Sequence, residues 1–158
     1  MEFRNNQRAL TIGLLFLLTL MAASSCKQEI SPRLKEIDRS INKDYKIGEQ
    51  ALDSMERLGL LEAKPNQMYS KLLRLKIADK DYRPIQNKKK EIDSLVNYFQ
   101  GQKDGDALAQ AYYLAGRVNS DLGDSPKALI LYQKAEETVN KDNYALQGDI
   151  YCQMGYIY

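Results

Sequence analysis

Two thiols, Cys26 and Cys152, are the most reactive groups in a 158-residue chain that contains no histidine. A thiol acts as a nucleophile or a zinc ligand most readily beside imidazole. The lack of His therefore excludes Ser-His-Asp and Cys-His catalysis and most zinc sites. Carboxylates remain, but a pair works as acid and base only where opposed environments separate their pKa values, and no spacing here places two in one pocket. Lys103-Asp104-Gly105-Asp106 sets acids beside a glycine without the spaced acids and closing Glu of a calcium loop, so turn chemistry accounts for it. Lys88-Lys89-Lys90 leads into Glu91 and Asp93 and reads as a solvated helix start. The net charge is only +2, with acids and bases interleaved, whereas a nucleic-acid surface needs clustered Lys and Arg. The expectation is a non-enzyme with no cofactor, no metal and no nucleic acid bound directly.

The remaining chemistry of Cys26 depends on what precedes it. Arg4 and Arg8 begin the chain, an uncharged Leu-rich run follows from Ala9 to Ala23, and Ser24 and Ser25 lead into Cys26. A basic start, an apolar middle and a small-residue exit make a secretory signal peptide over residues 1–25. As a helix the run reaches roughly 22 Å, short of a hydrocarbon core of about 30 Å. Counting the two serines brings it to roughly 26 Å, which leaves an uncleaved anchor as the alternative. The segment Ala23-Ser24-Ser25-Cys26 resembles the lipobox of bacterial lipoproteins, with Leu20 displaced from the family's position. The resemblance implies cleavage before Cys26, lipidation of its thiol, and a membrane-anchored lipoprotein of the cell envelope facing the periplasm or the cell surface. An ordinary signal peptide with an incidental cysteine is the plainer reading. A Cys26–Cys152 disulfide would join a tether to a helix interior, which disulfide geometry rarely permits.

Without residues 1–25 the chain keeps roughly 130 residues, enough for one domain with a real core. A tether over 26–32 leads into periodicity that is helical nearly everywhere. Ser31-Pro32 starts a helix with Leu34, Ile37 and Ile41 on one face. A second runs from Tyr45 to Leu58 and stops at Gly59. Pro65-Asn66 breaks the chain, and Asn66 is placed to cap a helix holding Tyr69, Leu72, Leu73 and Ile77. Asp79 to Pro84 reads as a polar connector. Ile92, Leu95, Val96 and Phe99 form the clearest amphipathic stripe. Three more stretches follow, over 107–121, 126–139 and 144 onward, with Ser125 and Pro126 starting the middle one. No strand-like alternation competes. The fold class expected is all-α, built from antiparallel helix pairs.

Self-comparison sharpens this. Tyr112, Ala115 and Gly116 are followed by Asp121-Leu122-Gly123-Asp124 and then Ala128, Tyr132 and Ala135. Tyr151, Met154, Gly155 and Tyr158 repeat the first spacing. These residues resemble the tetratricopeptide repeat, whose period is about 34 residues. Asn119 departs from its Tyr position, and Asn140 stands where Pro is common. The interval from Gly116 to Gly155 exceeds the period by about five residues, placing a longer connector near Thr138 to Asn143. Residues 33–106 lack the signature and read as divergent helical repeats. Residues 107–158 carry it, the last copy incomplete.

The resemblance implies a stacked α-solenoid in which Tyr112, Ala115, Gly116, Ala128, Tyr132, Ala135, Tyr151, Met154, Gly155 and Tyr158 pack the repeats. A neighbouring stripe of Gln110, Tyr113, Arg117 and Ser120, continued by Asp149, Cys152 and Tyr156, would line a concave groove. There Tyr113 offers a ring and Arg117 a fork for a carboxylate of an extended peptide. The bland alternative gives that stripe to packing between repeats. The function expected is a lipid-anchored scaffold binding a protein or peptide partner. The alternative is the sensory or interaction region of a larger membrane-associated regulator.

Overall fold

The computed structural model describes residues 29–157. The apolar leader, Cys26 and Tyr158 lie outside the described residues. Seven α-helices follow one another: α1 (Pro32–Ile41), α2 (Tyr45–Arg57), α3 (Lys64–Lys80), α4 (Lys89–Gln100), α5 (Gly105–Asp121), α6 (Ser125–Thr138) and α7 (Tyr144–Gly155), with a 3-10 turn at Gln86–Lys88 before α4. No strand occurs among the described residues, so the fold is all-α. No described helix is long and apolar enough to cross a membrane.

Local chemistry sets the boundaries. Asp44, Asp104, Asp124 and Asn143 each accept a backbone N–H from the first turn of the helix they precede, satisfying donors that the helix itself cannot. Gly59 and Gly123 follow α2 and α5 at φ 67° and 82°, the left-handed conformation that closes a helix at least cost to glycine. Three expectations are corrected. Asp124, not Ser125, caps α6. Asn66 lies inside α3, where Pro65 occupies the first turn, and its Oδ1 accepts the Ser31 N–H at 2.9 Å. The stretch expected as a connector from Asp79 is still helix through Lys80, because its polar side chains find partners on neighbouring helices.

α1 with α2 and α5 with α6 form closely packed hairpins, α4 packs chiefly on α5 and less on α3, and the odd-numbered helices also touch in order, α1 on α3, α3 on α5 and α5 on α7. Each helix packs only on helices one or two places away in the chain. One hydrophobic cluster runs from Leu34 to Ile150, so the packing shows no break near residue 106. Ile92, Leu95 and Phe99 of the α4 stripe are buried, and Phe99 meets Tyr69 edge-on at 6.3 Å between centroids.

The α5–α6 hairpin is the tightest pair. Ala128, Tyr132 and Ala135 are fully buried, and Tyr112 and Ala115 nearly so. A Cβ added at Gly116 would overlap the Tyr132 ring, 2.6 Å from Cδ1 and 3.0 Å from Cζ. The corresponding residues of α7 sit differently: Tyr151 is exposed, Met154 is half-buried, and Gly155 would meet nothing within 4 Å. No described helix follows α7 to face them. The connector from Val139 to Asn143 is held by the Asn140 N–H to Asp106 Oδ1 at 2.9 Å and by Gln147 Nε2 to the Asn140 carbonyl at 3.0 Å.

Candidate partner groove

Two hollows share one face of the array, the face made by the odd-numbered helices. The larger, about 600 Å³, lies where those helices end and is lined by Tyr113 and Arg117 of α5, Asp149 and Cys152 of α7, and Tyr82 and Tyr156 beyond α3 and α7. The smaller, about 390 Å³, lies nearer their beginnings, between Asp38, Lys76, Gln110 and Leu146. The stripe expected on one face thus divides. Tyr113, Arg117, Asp149, Cys152 and Tyr156 come together, Gln110 is buried in the second hollow, and half-buried Ser120 lines neither.

Polar side chains tie the odd helices together. Asp79 of α3 accepts from Arg117 Nε at 2.9 Å and from the Tyr113 hydroxyl at 3.1 Å. Arg117 Nη1 donates to Gln153 Oε1 at 3.0 Å, and Asp121 lies 3.7 Å from the same nitrogen. One pair of helices earlier, Asp38 of α1 accepts from the Tyr69 hydroxyl at 2.7 Å and from Lys76 Nζ at 2.6 Å. In both places an aspartate on one odd helix holds a tyrosine and a cation of the next. Two ion pairs reach farther: Lys35 meets Asp104, and Lys80 meets Asp149 at 3.2 Å.

This arrangement corrects one expectation. Arg117 is not an open fork, because its guanidinium is already shared by Asp79, Gln153 and Asp121. Burial would lower its affinity for the proton, yet the hydrogen bond and charge of Asp79 outweigh that and hold it above the ordinary arginine value. Cys152 is exposed on the wall, as is Tyr156, and Gln153 meets Arg117 through its side-chain oxygen. Among the described residues no group of three or more His, Cys, Asp and Glu could hold a metal ion.

Sequence reasoning missed the Asp38 and Asp79 seams. Tyr69 and Lys76 are seven residues apart, whereas Tyr113 and Arg117 are four apart, so no common spacing exposes the repeated chemistry. Both separations nevertheless return to one helix face, and that was the available signal.

Burial raises the phenols of Tyr69 and Tyr113 far above the ordinary tyrosine range, with Asp38 and Asp79 adding to the effect, and pushes Tyr132 up to about 12. The Tyr132 hydroxyl is buried beside Arg117 and has no hydrogen-bond partner among the described residues. Since these folded-state values exceed the unfolded value of about 10, their stabilisation is complete below pH 10. It is lost as pH rises through that value toward 12 and beyond. Ultraviolet titration of tyrosinate is expected to show these three rings ionising only together with unfolding. Full titration of all tyrosines with the helical signal intact would contradict the burial.

The chain matches no protein-family model, and neither a curated protein nor a solved structure gives a significant match to it.

Proposed function

We propose that this chain is an exported, lipid-anchored scaffold of tetratricopeptide-like helix pairs that binds a protein or peptide partner in the groove of its odd-numbered helices. The observation that carries the reading is the pair of hollows along that face. Their floor is already neutralised by Asp38–Lys76 and Asp79–Arg117, while Tyr82 and Tyr156 are exposed at 93% and 79% on the rim. A neutralised floor with tyrosines at its mouth suits an extended segment of mixed polarity, since tyrosine offers both a ring and a hydroxyl. Repeat arrays of this kind have no chemistry of their own and bind through such surfaces.

Photocrosslinking in intact cells tests the reading. A benzophenone side chain at Tyr156 or Tyr82 is expected to trap a discrete partner that the same group at Lys90, exposed on α4, does not trap. Tyr156→Ala should lower recovery of that partner about tenfold, the scale of one aromatic hot spot. Identical products from both faces would overturn the groove assignment.

A second reading, an interaction region of a larger membrane-associated regulator, draws on the outer face of α7. Tyr144 and Tyr151 are exposed there, and a Cβ at Gly148 or Gly155 would meet nothing within 4 Å, a surface that further polypeptide could cover. An apolar stretch of about 20 residues encoded downstream of Tyr158 would favour it.

A further inference from the structure

We infer that the edge of the array where the odd-numbered helices begin is a membrane-contacting surface, held against lipid headgroups by a short leash to Cys26. The inference rests on the lipid-anchored reading above and adds an orientation to it.

The leash is short because the fold takes hold of the chain early. Ile30 packs against the core, and the Ser31 N–H is bound by Asn66 of α3 at 2.9 Å. From Cys26 to Glu29 a fully extended chain covers at most roughly 11 Å. The headgroup layer on each side of a bilayer is itself about 6 Å deep, so a lipidated Cys26 leaves Glu29 at the membrane surface or just above it. Glu29 and Ile30 enter beside Pro65, Lys103, Gly105 and Asn140 around a hollow of about 410 Å³. Those residues belong to the starts of α3 and α5 and to the connector before α7. The leash therefore emerges amid one edge of the molecule.

The side chains of that edge fit a lipid surface. Leu58 and Leu60, in the turn before α3, are 66% and 45% exposed. Arg33, Lys64, Lys103 and Lys141 are exposed at the starts of the odd helices or just before them, and their long stems let the charges reach phosphates while the chains lie on apolar surface. Glu29, Glu62 and Asp142 are exposed among them, so the two signs nearly cancel. The leash, rather than charge attraction, sets the contact. The opposite edge carries Lys43, Tyr82, Leu122 and Tyr156. α3 has 17 residues, about 25 Å of helix, which sets the larger hollow away from the bilayer with its mouth toward water.

The test uses the full chain, processed in its host, extracted in detergent and reconstituted into phosphatidylethanolamine–phosphatidylglycerol vesicles. The N-terminal peptide is first weighed to establish the lipid on Cys26. In a Cys152→Ser background, bimane is placed at Lys64→Cys, Lys103→Cys or Leu122→Cys and quenched by headgroup-nitroxide lipid. Quenching several-fold stronger at 64 and 103 than at 122, unchanged between low and high salt, is expected. A Gly/Ser insertion of about ten residues after Gln28 should erase the difference. With Cys26 lipidated, equal quenching at all three sites, or stronger quenching at 122, overturns the orientation and leaves the anchor standing. Contrast that disappears in high salt overturns the leash mechanism. An unlipidated Cys26 overturns the orientation together with the anchored reading.

Discussion

Replacing Gly116 by valine is expected to lower the unfolding free energy by about 2–3 kcal/mol, the upper range for overfilling a packed core. The Tyr132 ring lies against the glycine with contacts of 2.6 and 3.0 Å to a would-be Cβ, and the ring is fully buried between Ala128 and Ala135. It has no solvent side to turn toward, so α5 and α6 must move apart. Gly116→Ala faces the same overlap but regains roughly 0.5–1 kcal/mol of helix preference, and should fall between valine and the natural chain. Gly148→Ala should behave oppositely, because nothing lies within 4 Å of its Cβ and only the helix preference remains. Urea unfolding of the three variants decides this. Tyr132→Leu should restore part of the loss in Gly116→Val, since it removes the atoms that collide. If Gly116→Val unfolds at the same urea concentration as the natural chain, close packing does not hold this hairpin.

The second large effect is expected at Asp79. Its side chain is 10% exposed and receives both Arg117 and Tyr113. Asp79→Ala would leave a half-buried guanidinium and a buried phenol without their main acceptor. Breaking a fully buried pair from one side costs roughly 3–5 kcal/mol, and Asp121 with Gln153 still attends Arg117, so a loss of about 2 kcal/mol follows. Asp79→Asn keeps an acceptor oxygen and should lose less. The control is Asp93→Ala, which removes a surface partner of Lys89 and should cost less than about 0.5 kcal/mol. Hydrogen exchange places the effect, with protection in α5 falling first. Equal losses for Asp79→Ala and Asp93→Ala would mean that the buried seam contributes no more than a surface pair.

The helices were legible wherever an apolar stripe met a stop signal. Ile92, Leu95 and Phe99 mark α4, Gly59 ends α2, and Ala128, Tyr132 and Ala135 mark the buried side of α6. The reading failed where polar residues serve the interior. Asp79 and Lys80 look like loop composition, yet they continue α3 because their charges are met by Arg117 and Asp149 from helices distant in sequence. Asn66 looked like a cap and instead fastens the incoming chain. Arg117 looked like an open ligand for an anion because nothing local reveals Asp79 beside it. Local signals report local hydrogen bonds, and a partner 38 residues away leaves none.

Packing confined to near neighbours also gives the array a mechanical character. With each helix resting on its near neighbours, a load is expected to spread as a small rotation at each interface rather than to concentrate at one hinge. Across the larger hollow, Lys80–Asp149 is a clasp between α3 and α7, with side chains 26% and 37% exposed. A pair so open to water contributes about 0–1 kcal/mol, less than the seams along the floor. Salt is therefore expected to weaken the clasp at the mouth of the groove before it weakens the more buried pairs of the floor, because screening acts most on exposed charges.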